Sequence, residues 1–303
     1  MIQMHGTAMS NLSAPNPPPP PSLAQSQRDC RRLARCHYEN FTVASRLLPR
    51  GLRQHFCNVY AYCRWADDLA DETGDPARSL ELLDQWQEQL RQCYEGKAVH
   101  PIFVALAETI RQFDIPQQTF ADLLIAFRQD QQVTRYETAD QLLQYCRCSA
   151  NPVGRLVLHL ARGCTPERLQ WSDAICTGLQ LANFCQDVAR DWDRGRVYLP
   201  QAACRRFGYD ETMFARRACN DAFRRLLADQ VDWAESFLRQ GQPLAAHMPP
   251  GFRLPVALFA EGGLATLGAI RRQNYDVWTR RPTVSRFEKF FLLVRCWWKC
   301  PKR

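Results

Sequence analysis

Acidic side chains recur at helical spacing in two short segments of this chain. Asp67 and Asp71 are four residues apart in the first segment, and Asn183, Asp187 and Asp191 follow the same spacing in the second. Residues four apart lie on one face of an α-helix, so each segment would direct its side-chain oxygens to one side. Mg²⁺ prefers oxygen ligands and binds through one or two carboxylates together with substrate phosphates. Two such helices facing each other therefore predict a Mg²⁺ site for a diphosphate.

Apolar residues precede the oxygens on both helical faces. Leu179 and Ile175 continue the line of the second segment towards its N-terminus, and Cys63 and Val59 do so in the first. An ordinary solvated helix would instead place its carboxylates opposite its apolar face, and that simpler interpretation applies to many acidic pairs. Because both segments continue an apolar stripe, the pattern favours an apolar cavity with a charged mouth.

The ends of the chain differ in composition from its middle. Residues 1–28 are rich in proline, with Pro15 and the run Pro17 to Pro21, and they lack an apolar segment. Such a segment cannot bury enough apolar area to join a core, so we expect a disordered leader. Without basic residues before Arg28 or an apolar run, it does not have the pattern of a secretory signal. Residues 29–303 are predicted to form one catalytic domain.

The net charge of +8 allows an anionic substrate, an anionic membrane surface or nucleic acid. The arginines are dispersed and no nucleic-acid motif is present, so we expect no nucleic-acid partner. The C-terminal segment 290–298 is aromatic, is flanked by Lys289 and Lys299, and is too short to span a bilayer. It either lies on a membrane surface, as a peripheral contact at the inner membrane, or forms a last helix packed on the core. Fourteen scattered cysteines without an export signal indicate reduced thiols in the cytoplasm.

Apolar residues at three- and four-residue spacing, with prolines between the segments, predict an all-α protein. No convincing alternating strand pattern or repeat is present, so we expect a helical bundle around one central cavity. The predicted helices span 29–47, 50–72, 77–95, 101–113, 117–130, 139–162, 167–192, 211–239, 252–279 and 284–298.

The two acidic segments lie within longer motifs. These are Tyr60-Ala-Tyr-Cys-Arg-Trp-Ala-Asp-Asp-Leu-Ala-Asp71, Leu179-Gln-Leu-Ala-Asn-Phe-Cys-Gln-Asp-Val-Ala-Arg-Asp191 and Arg196-Val-Tyr-Leu-Pro200. In order and spacing, over roughly residues 30 to 290, the chain closely resembles the squalene/phytoene synthases. The resemblance implies an isoprenoid-synthase-type bundle in which Mg²⁺ bridges a prenyl diphosphate to the two acidic helices.

Position by position, the resemblance also implies roles for individual side chains. The implied metal ligands are Asp67, Asp71, Asn183, Asp187 and Asp191. The implied substrate-binding residues are Phe41, Gln180, Gln186 and Arg196. The implied catalytic residues, which surround a carbocation with aromatic faces or contact the diphosphate, are Tyr60, Arg64, Tyr198 and Tyr275. Aromatic faces stabilise cations through the ring quadrupole, which agrees with this assignment.

One position departs from the pattern of the condensing enzymes. Members that join two prenyl diphosphates usually carry arginine where this chain has Gln186, so one cation near the diphosphates is expected to be missing. Together with the segment 149–157, Ser-Ala-Asn-Pro-Val-Gly-Arg-Leu-Val, this resembles the bacterial hydroxysqualene synthase branch of hopanoid biosynthesis. The implied reaction is that of a Mg²⁺-dependent carbon-oxygen lyase, which converts presqualene diphosphate and water to hydroxysqualene and diphosphate.

Two other functions stay open at this point. One is a prenyltransferase that condenses prenyl diphosphates head to head, as presqualene diphosphate and phytoene synthases do, and Gln186 is the residue that separates it from the lyase. The other is a non-catalytic assembly protein with the same fold, which loss of metal ligands would support, although all five positions here carry oxygen. For the lyase, an enzyme that makes presqualene diphosphate is an expected partner.

Overall fold

A computed structural model describes residues 21–36 and 49–299. A 3-10 turn at Arg50–Leu52 precedes the second helix, and Arg135 and Val197 form an isolated β-bridge. In these ranges the helices are α1 (Leu23–Cys36), α2 (Arg53–Asp71), α3 (Pro76–Tyr94), α4 (Pro101–Phe113), α5 (Gln117–Asp130), α6 (Ala139–Ser149), α7 (Asn151–Leu160), α8 (Pro166–Gln186), α9 (Val188–Asp193), α10 (Gln201–Phe207), α11 (Glu211–Ala215), α12 (Asp221–Gly241), α13 (Leu244–His247), α14 (Pro250–Arg272) and α15 (Arg286–Lys299). The prediction of an all-α helical bundle is confirmed in these ranges.

Helix α8 runs through the middle of the bundle and packs against α6, α7, α12, α13 and α14. One hydrophobic cluster is built mainly from α2 to α5 and the other mainly from α6, α8 and α12, with Leu179 in contact with both. The α8–α12 contact depends on Gly178, because a Cβ there would lie 2.7 Å from Cγ of Leu238 and 2.9 Å from its backbone nitrogen. The C-terminal end of this central helix is where the acidic residues lie.

Two predicted helices, 101–113 and 117–130, match the structure at both ends. The predicted helix 139–162 is instead divided at Ala150. Pro152 has no backbone N–H to donate, and its ring restricts the backbone conformation of the residue before it. The short helices α10 and α13 were not predicted, since neither is long enough to show a period.

The predicted helix 211–239 is also divided, into α11 and α12. The side chain of Asn220 accepts a hydrogen bond of 2.9 Å from the backbone amide of Phe223, which caps the start of α12.

The predicted helix 252–279 is shorter in the structure, because α14 ends at Arg272. Asn274 and Tyr275 take left-handed conformations there, with φ of 49° and 60°, so the chain turns back.

The predicted helix 167–192 is divided at Asp187, where φ is −106° and ψ is 15°. The amide of Asp187 still donates to the carbonyl of Asn183, and its own carbonyl accepts from the amide of Asp191, both at 2.9 Å. The division is therefore a kink in a continuing helical path. Asn183, Asp187 and Asp191 stay on adjoining turns, as their spacing predicted.

The predicted boundary of the leader at residue 28 is wrong. Helix α1 begins at Leu23 and packs against α2 and α4, and Ser26 is fully buried in that contact. The predicted helix 29–47 contains the later part of α1, and its residues 37–47 lie outside those that the structure describes. The composition of 1–28 hid the start of α1, because the prolines end at residue 21 and the next seven residues were averaged with them. Phe41 lies outside the residues that the structure describes.

Candidate active site

The acidic end of α2 is held by two arginines. Nη1 of Arg64 lies 3.0 Å from Oδ2 of Asp67, and the same guanidinium pairs with Asp68. One turn further on, Asp71 lies 3.9 Å from Nη2 of Arg196, which follows α9 in the chain. Arg196 therefore connects the first acidic segment to the second half of the bundle.

The kink at the end of α8 coincides with a bidentate ion pair. Arg281, from the loop between α14 and α15, donates to both carboxylate oxygens of Asp187, with 2.9 Å between Nη2 and Oδ2. The same nitrogen donates to Oε1 of Gln186 at 2.7 Å, and Nε2 of Gln186 donates to the carbonyl oxygen of Pro282 at 2.5 Å. Sequence reasoning missed Arg281, because no periodic pattern connects the loop to the acidic helix.

Burial and like charge raise the pKa of one carboxyl group in each acidic pair. Burial raises the pKa of Asp191 to about 7, and the neighbouring carboxylate of Asp187 adds to the increase. Burial and the carboxylate of Asp71 raise the pKa of Asp67 to about 6, although Arg64 opposes them. Both shifts have one physical cause, which is negative charge held away from water with too little positive charge beside it.

Asp130, at the C-terminal end of α5, is a third buried carboxylate of this region. The hydroxyls of Tyr145 and Tyr198 donate to it at 3.0 and 3.4 Å, and Arg196 donates to its backbone carbonyl at 3.3 Å. Burial raises its pKa to about 6, with the field of Asp71 acting in the same direction. Asp130 carried no sequence signal, because it ends its helix without an acidic partner at helical spacing.

The donor set fits a cation that is shared with a substrate. Within residues 21–36 and 49–299, no three His, Cys, Asp or Glu side chains gather closely enough to hold a metal by themselves. The carboxylates instead form two pairs, Asp67 with Asp71 and Asp187 with Asp191. Mg²⁺ takes one or two carboxylates plus phosphate oxygens, so each pair suits a Mg²⁺ ion that also contacts a diphosphate.

Two adjoining cavities lie beside α8. The inner one, of about 280 Å³, is almost wholly apolar and is bounded in part by Phe56, Ile175 and Phe252. The outer one, of about 410 Å³, is lined in part by Asn183, Gln186, Arg281 and Lys289. Leu179 and Phe259 line both cavities. An apolar cavity with a more polar neighbour therefore lies along α8. None of the four aspartates predicted to form a charged mouth lines either cavity, and Asp187 is linked to the outer one through its ion pair with Arg281.

The remaining predicted residues are distributed differently around the site. Tyr60 is half-buried. Burial raises the pKa of its hydroxyl, the charge of Arg64 lowers it and the charge of Asp67 raises it. Gln180 is half-buried on α8, one turn before Asn183. Their places agree with the predicted roles, which stay predictions.

Tyr198 and Tyr275 are not among the residues that line the two cavities. Tyr198 is buried and stacks on Phe184 with ring centroids 4.0 Å apart, so it belongs to the second hydrophobic cluster. Tyr275 lies in the turn after α14 and packs against the same cluster. The structure therefore packs both rings in or against the second hydrophobic cluster, and their catalytic roles stay predictions. Their spacing in the chain could not show this, because both lie in loops.

An all-α bundle whose apolar cavity opens near paired carboxylates is the architecture of an isoprenoid synthase. Residues 34–288 match the family model of squalene/phytoene synthase, so the chain belongs to the squalene/phytoene synthase family. It is 30% identical to a phytoene synthase from Arthrospira platensis over 287 residues, which cover 90% of this chain and 93% of the relative.

Comparison with solved structures indicates the same family. The chain is similar to squalene synthase HpnC from Alicyclobacillus acidocaldarius, with a TM-score of 0.80 and 44% identity over 84% of this chain and 95% of that one. It is also similar to a dehydrosqualene synthase in complex with a ligand, with a TM-score of 0.81 and 27% identity over 90% of this chain and 96% of that one. The predicted family is confirmed, and with it chemistry of the squalene/phytoene synthase type on prenyl diphosphates.

The raised pKa of Asp191 predicts a measurable dependence of stability on pH. The folded-state pKa lies above the ordinary value of about 4, so stability is lost as the pH rises from about 4 to 7. Asp191→Asn removes the charge, and we expect it to raise the free energy of unfolding at pH 7.5 by about 1–3 kcal/mol, allowing for partial solvation. Denaturant unfolding across this pH range, without Mg²⁺, measures the difference, which should shrink towards pH 4.

The matched control is Asp193→Asn on the same short helix, since Asp193 is exposed and pairs only at the surface with Arg217. We expect it to change stability by less than about 1 kcal/mol at every pH. An Asp191→Asn protein no more stable than wild type at pH 7.5 would show that the buried charge is already neutralised.

Proposed function

We propose that this protein is a Mg²⁺-dependent carbon-oxygen lyase that converts presqualene diphosphate and water to hydroxysqualene and diphosphate. The observation that carries the proposal is the pairing of Arg281 with both oxygens of Asp187 beside the neutral Gln186. The structure corrects the expectation that the cation near this position is missing, because Arg281 supplies one. Its charge, however, is already balanced by Asp187. Arg281 therefore offers no surplus charge to a second diphosphate, which supports single-diphosphate chemistry.

In the proposed reaction, the apolar and the charged parts of the substrate bind to different residues of the chain. Part of the apolar tail of the substrate would lie in the inner cavity, where Phe56, Phe252 and Phe259 would exclude water. Asp67 with Asp71, and Asp187 with Asp191 beside Asn183, would hold Mg²⁺ against the diphosphate, where the metal would supply Lewis-acid stabilisation to the leaving group. Arg64 and Arg196 keep the carboxylates of α2 in place by their ion pairs.

The bond changes are balanced without a reductant. The carbon–oxygen bond to diphosphate breaks, with both electrons leaving on the diphosphate. The carbocation rearranges within the aromatic walls, whose ring faces stabilise positive charge. A water oxygen then forms the new carbon–oxygen bond and gives up a proton.

A second candidate is head-to-head condensation of two prenyl diphosphates, the reaction that the names of the phytoene synthase relatives indicate for those proteins. One structural observation favours it here. The inner and outer cavities adjoin at Leu179 and Phe259 and could each receive one prenyl chain. The two candidates require different substrates and therefore give different products.

We place the reaction in the cytoplasm, next to an enzyme that supplies presqualene diphosphate. The cysteines whose side chains the structure describes are all free of disulfide bonds, which supports a reducing compartment. The supplying enzyme follows from the proposed substrate, which must be made from two prenyl diphosphates before this step.

Product analysis tests the proposed reaction. Purified protein with Mg²⁺ and presqualene diphosphate in ¹⁸O-labelled water should give a triterpene alcohol that carries the label. Farnesyl diphosphate alone should give almost no condensation product. Asp191→Asn should lower kcat at least about a hundredfold, because it removes a ligand that stabilises charge in the transition state. Asp193→Asn, the surface control, should leave kcat within about twofold of wild type.

Efficient formation of presqualene diphosphate or phytoene from linear prenyl diphosphates, with no alcohol from presqualene diphosphate, would contradict the lyase and support the second candidate. Absence of turnover with all of these substrates, in folded protein with Mg²⁺, would support a non-catalytic assembly role.

The role of Gln186 gives a separate prediction. Gln186→Arg would place a second guanidinium beside Arg281, so unbalanced positive charge would face the mouth of the outer cavity. We expect inorganic diphosphate to inhibit this variant at roughly tenfold lower concentration, with slower turnover from delayed product release. Gln186→Met is the neutral control, because it loses the two hydrogen bonds without adding charge. Equal inhibition of wild type and both variants would show that this position does not act on the diphosphate.

A further inference from the structure

Helix α15 turns its apolar side away from the protein. Phe287 is 79% exposed, Phe291 68% and Trp298 78%. Smaller polar side chains would be expected on a surface that faces water. At 100° per residue, the apolar positions form one stripe about 120° wide along the helix. We call this the aromatic stripe, and it consists of Phe287, Phe290, Phe291, Val294, Trp297 and Trp298.

Contacts on the other side of α15 fix this orientation. Cys296 is buried, and Glu288 pairs with Arg272 of α14 at 2.6 Å. Arg295 forms an ion pair with Glu261, also on α14. At the start of the helix, the carboxylate of Glu288 accepts from the amide of Ser285 at 2.8 Å, and the hydroxyl of Ser285 accepts from the amide of Glu288 at 3.2 Å. These contacts hold the inner face against α14 and leave the aromatic stripe outside.

The arrangement is the reverse of an ordinary surface helix, which directs charged side chains outwards and apolar ones to the core. A contiguous patch of large exposed apolar side chains is typical of an interface with another protein or with a membrane. In the rest of the described chain, the large exposed apolar residues are scattered over several elements. They are Leu23, Trp65, Val99, Ile125 and Val153.

We propose that the aromatic stripe docks the protein on an anionic membrane surface. The helix carries four basic residues, Arg286, Lys289, Arg295 and Lys299, and one acidic residue, Glu288. Arg295 is paired with Glu261 and Glu288 with Arg272, so the helix keeps a positive net charge. Phenylalanine and tryptophan on one side of a helix with basic residues around them is the composition of helices that lie in the membrane interface.

The charge of α15 also argues against the other occupants. A second copy of this chain would bring the same basic helix against itself, and the like charges would repel. Its fourteen residues span about 21 Å, less than the bilayer core of about 30 Å, so it lies along the surface rather than across it. Among the described helices, only α14 is long and apolar enough to cross a membrane, and it packs against α8 and α12 and lines both cavities.

Docking through the aromatic stripe would bring the outer cavity close to the membrane. Lys289 and Leu292 of α15 line that cavity, together with Asn183 and Arg281 of the candidate active site. This consequence rests on the proposed function, because a triterpene alcohol of low solubility needs an apolar phase to enter. The docking itself depends only on the exposed side chains and their charges.

Vesicle sedimentation of the full chain, without substrate or Mg²⁺, tests the docking. We expect the protein to bind vesicles of phosphatidylcholine and phosphatidylglycerol in equal parts, and to bind pure phosphatidylcholine at least about tenfold more weakly. Combined Phe287→Ser, Phe290→Ser, Phe291→Ser and Trp298→Ser should lower the partition coefficient on the anionic vesicles at least about tenfold. Circular dichroism should show that this variant keeps its helices, since the four side chains are exposed.

The matched control combines Val99→Ser and Ile125→Ser, which remove exposed apolar side chains from other elements. It should bind the anionic vesicles as wild type does. Equal vesicle binding by the stripe variant and wild type, or no binding by wild type, would overturn the proposal. A wild-type dimer in sedimentation equilibrium that the stripe variant lacks, without vesicle binding, would assign the stripe to a second copy. Normal vesicle binding without any turnover would count against the proposed function alone.

Discussion

The structure depends on negative charge that is buried and only partly neutralised. Carboxylates from α2, α5 and the kinked α8–α9 path come together, and burial raises the pKa of Asp67 and Asp130 to about 6 and that of Asp191 to about 7. Arginines approach each of them, yet the shifts remain upward, so the protein alone does not balance this charge. A folded protein keeps such an arrangement when a bound cation completes it, which is why the site suits a metal shared with diphosphate.

Helix α8 links this charged region to the apolar space beside it. Its middle contributes Ile175 and Leu179 to the cavity walls, and its end delivers Asn183 to the mouth and Asp187 to Arg281. The same loop that supplies Arg281 leads into α15, with its exposed aromatic stripe. Under the proposed function, the reacting end of the substrate, the outer cavity and the proposed membrane contact would therefore lie along one continuous part of the bundle.

The helices and both acidic segments could be predicted because each depends on local periodicity, which a sequence displays directly. Arg281 and Asp130 could not, because their importance arises from contacts with residues far away in the chain. The resemblance implied catalytic roles for Tyr198 and Tyr275, but their ring positions depend on loops that have no period. The start of helix α1, residues 23–28, was missed for a different reason: it follows a proline-rich segment, and composition was averaged across the boundary.

The most direct test of the central claim is the number of protons released when diphosphate and Mg²⁺ bind. Calorimetry at pH 6.5 in buffers of different ionisation enthalpy measures that number, and comparison with Asp191→Asn removes the contribution of diphosphate itself. Because the pKa of Asp191 is about 7 in the free protein, wild type should release more protons than Asp191→Asn does, by roughly half a proton or more. Equal proton release by the two proteins, or tight diphosphate binding without Mg²⁺, would contradict a site whose buried charge awaits a metal.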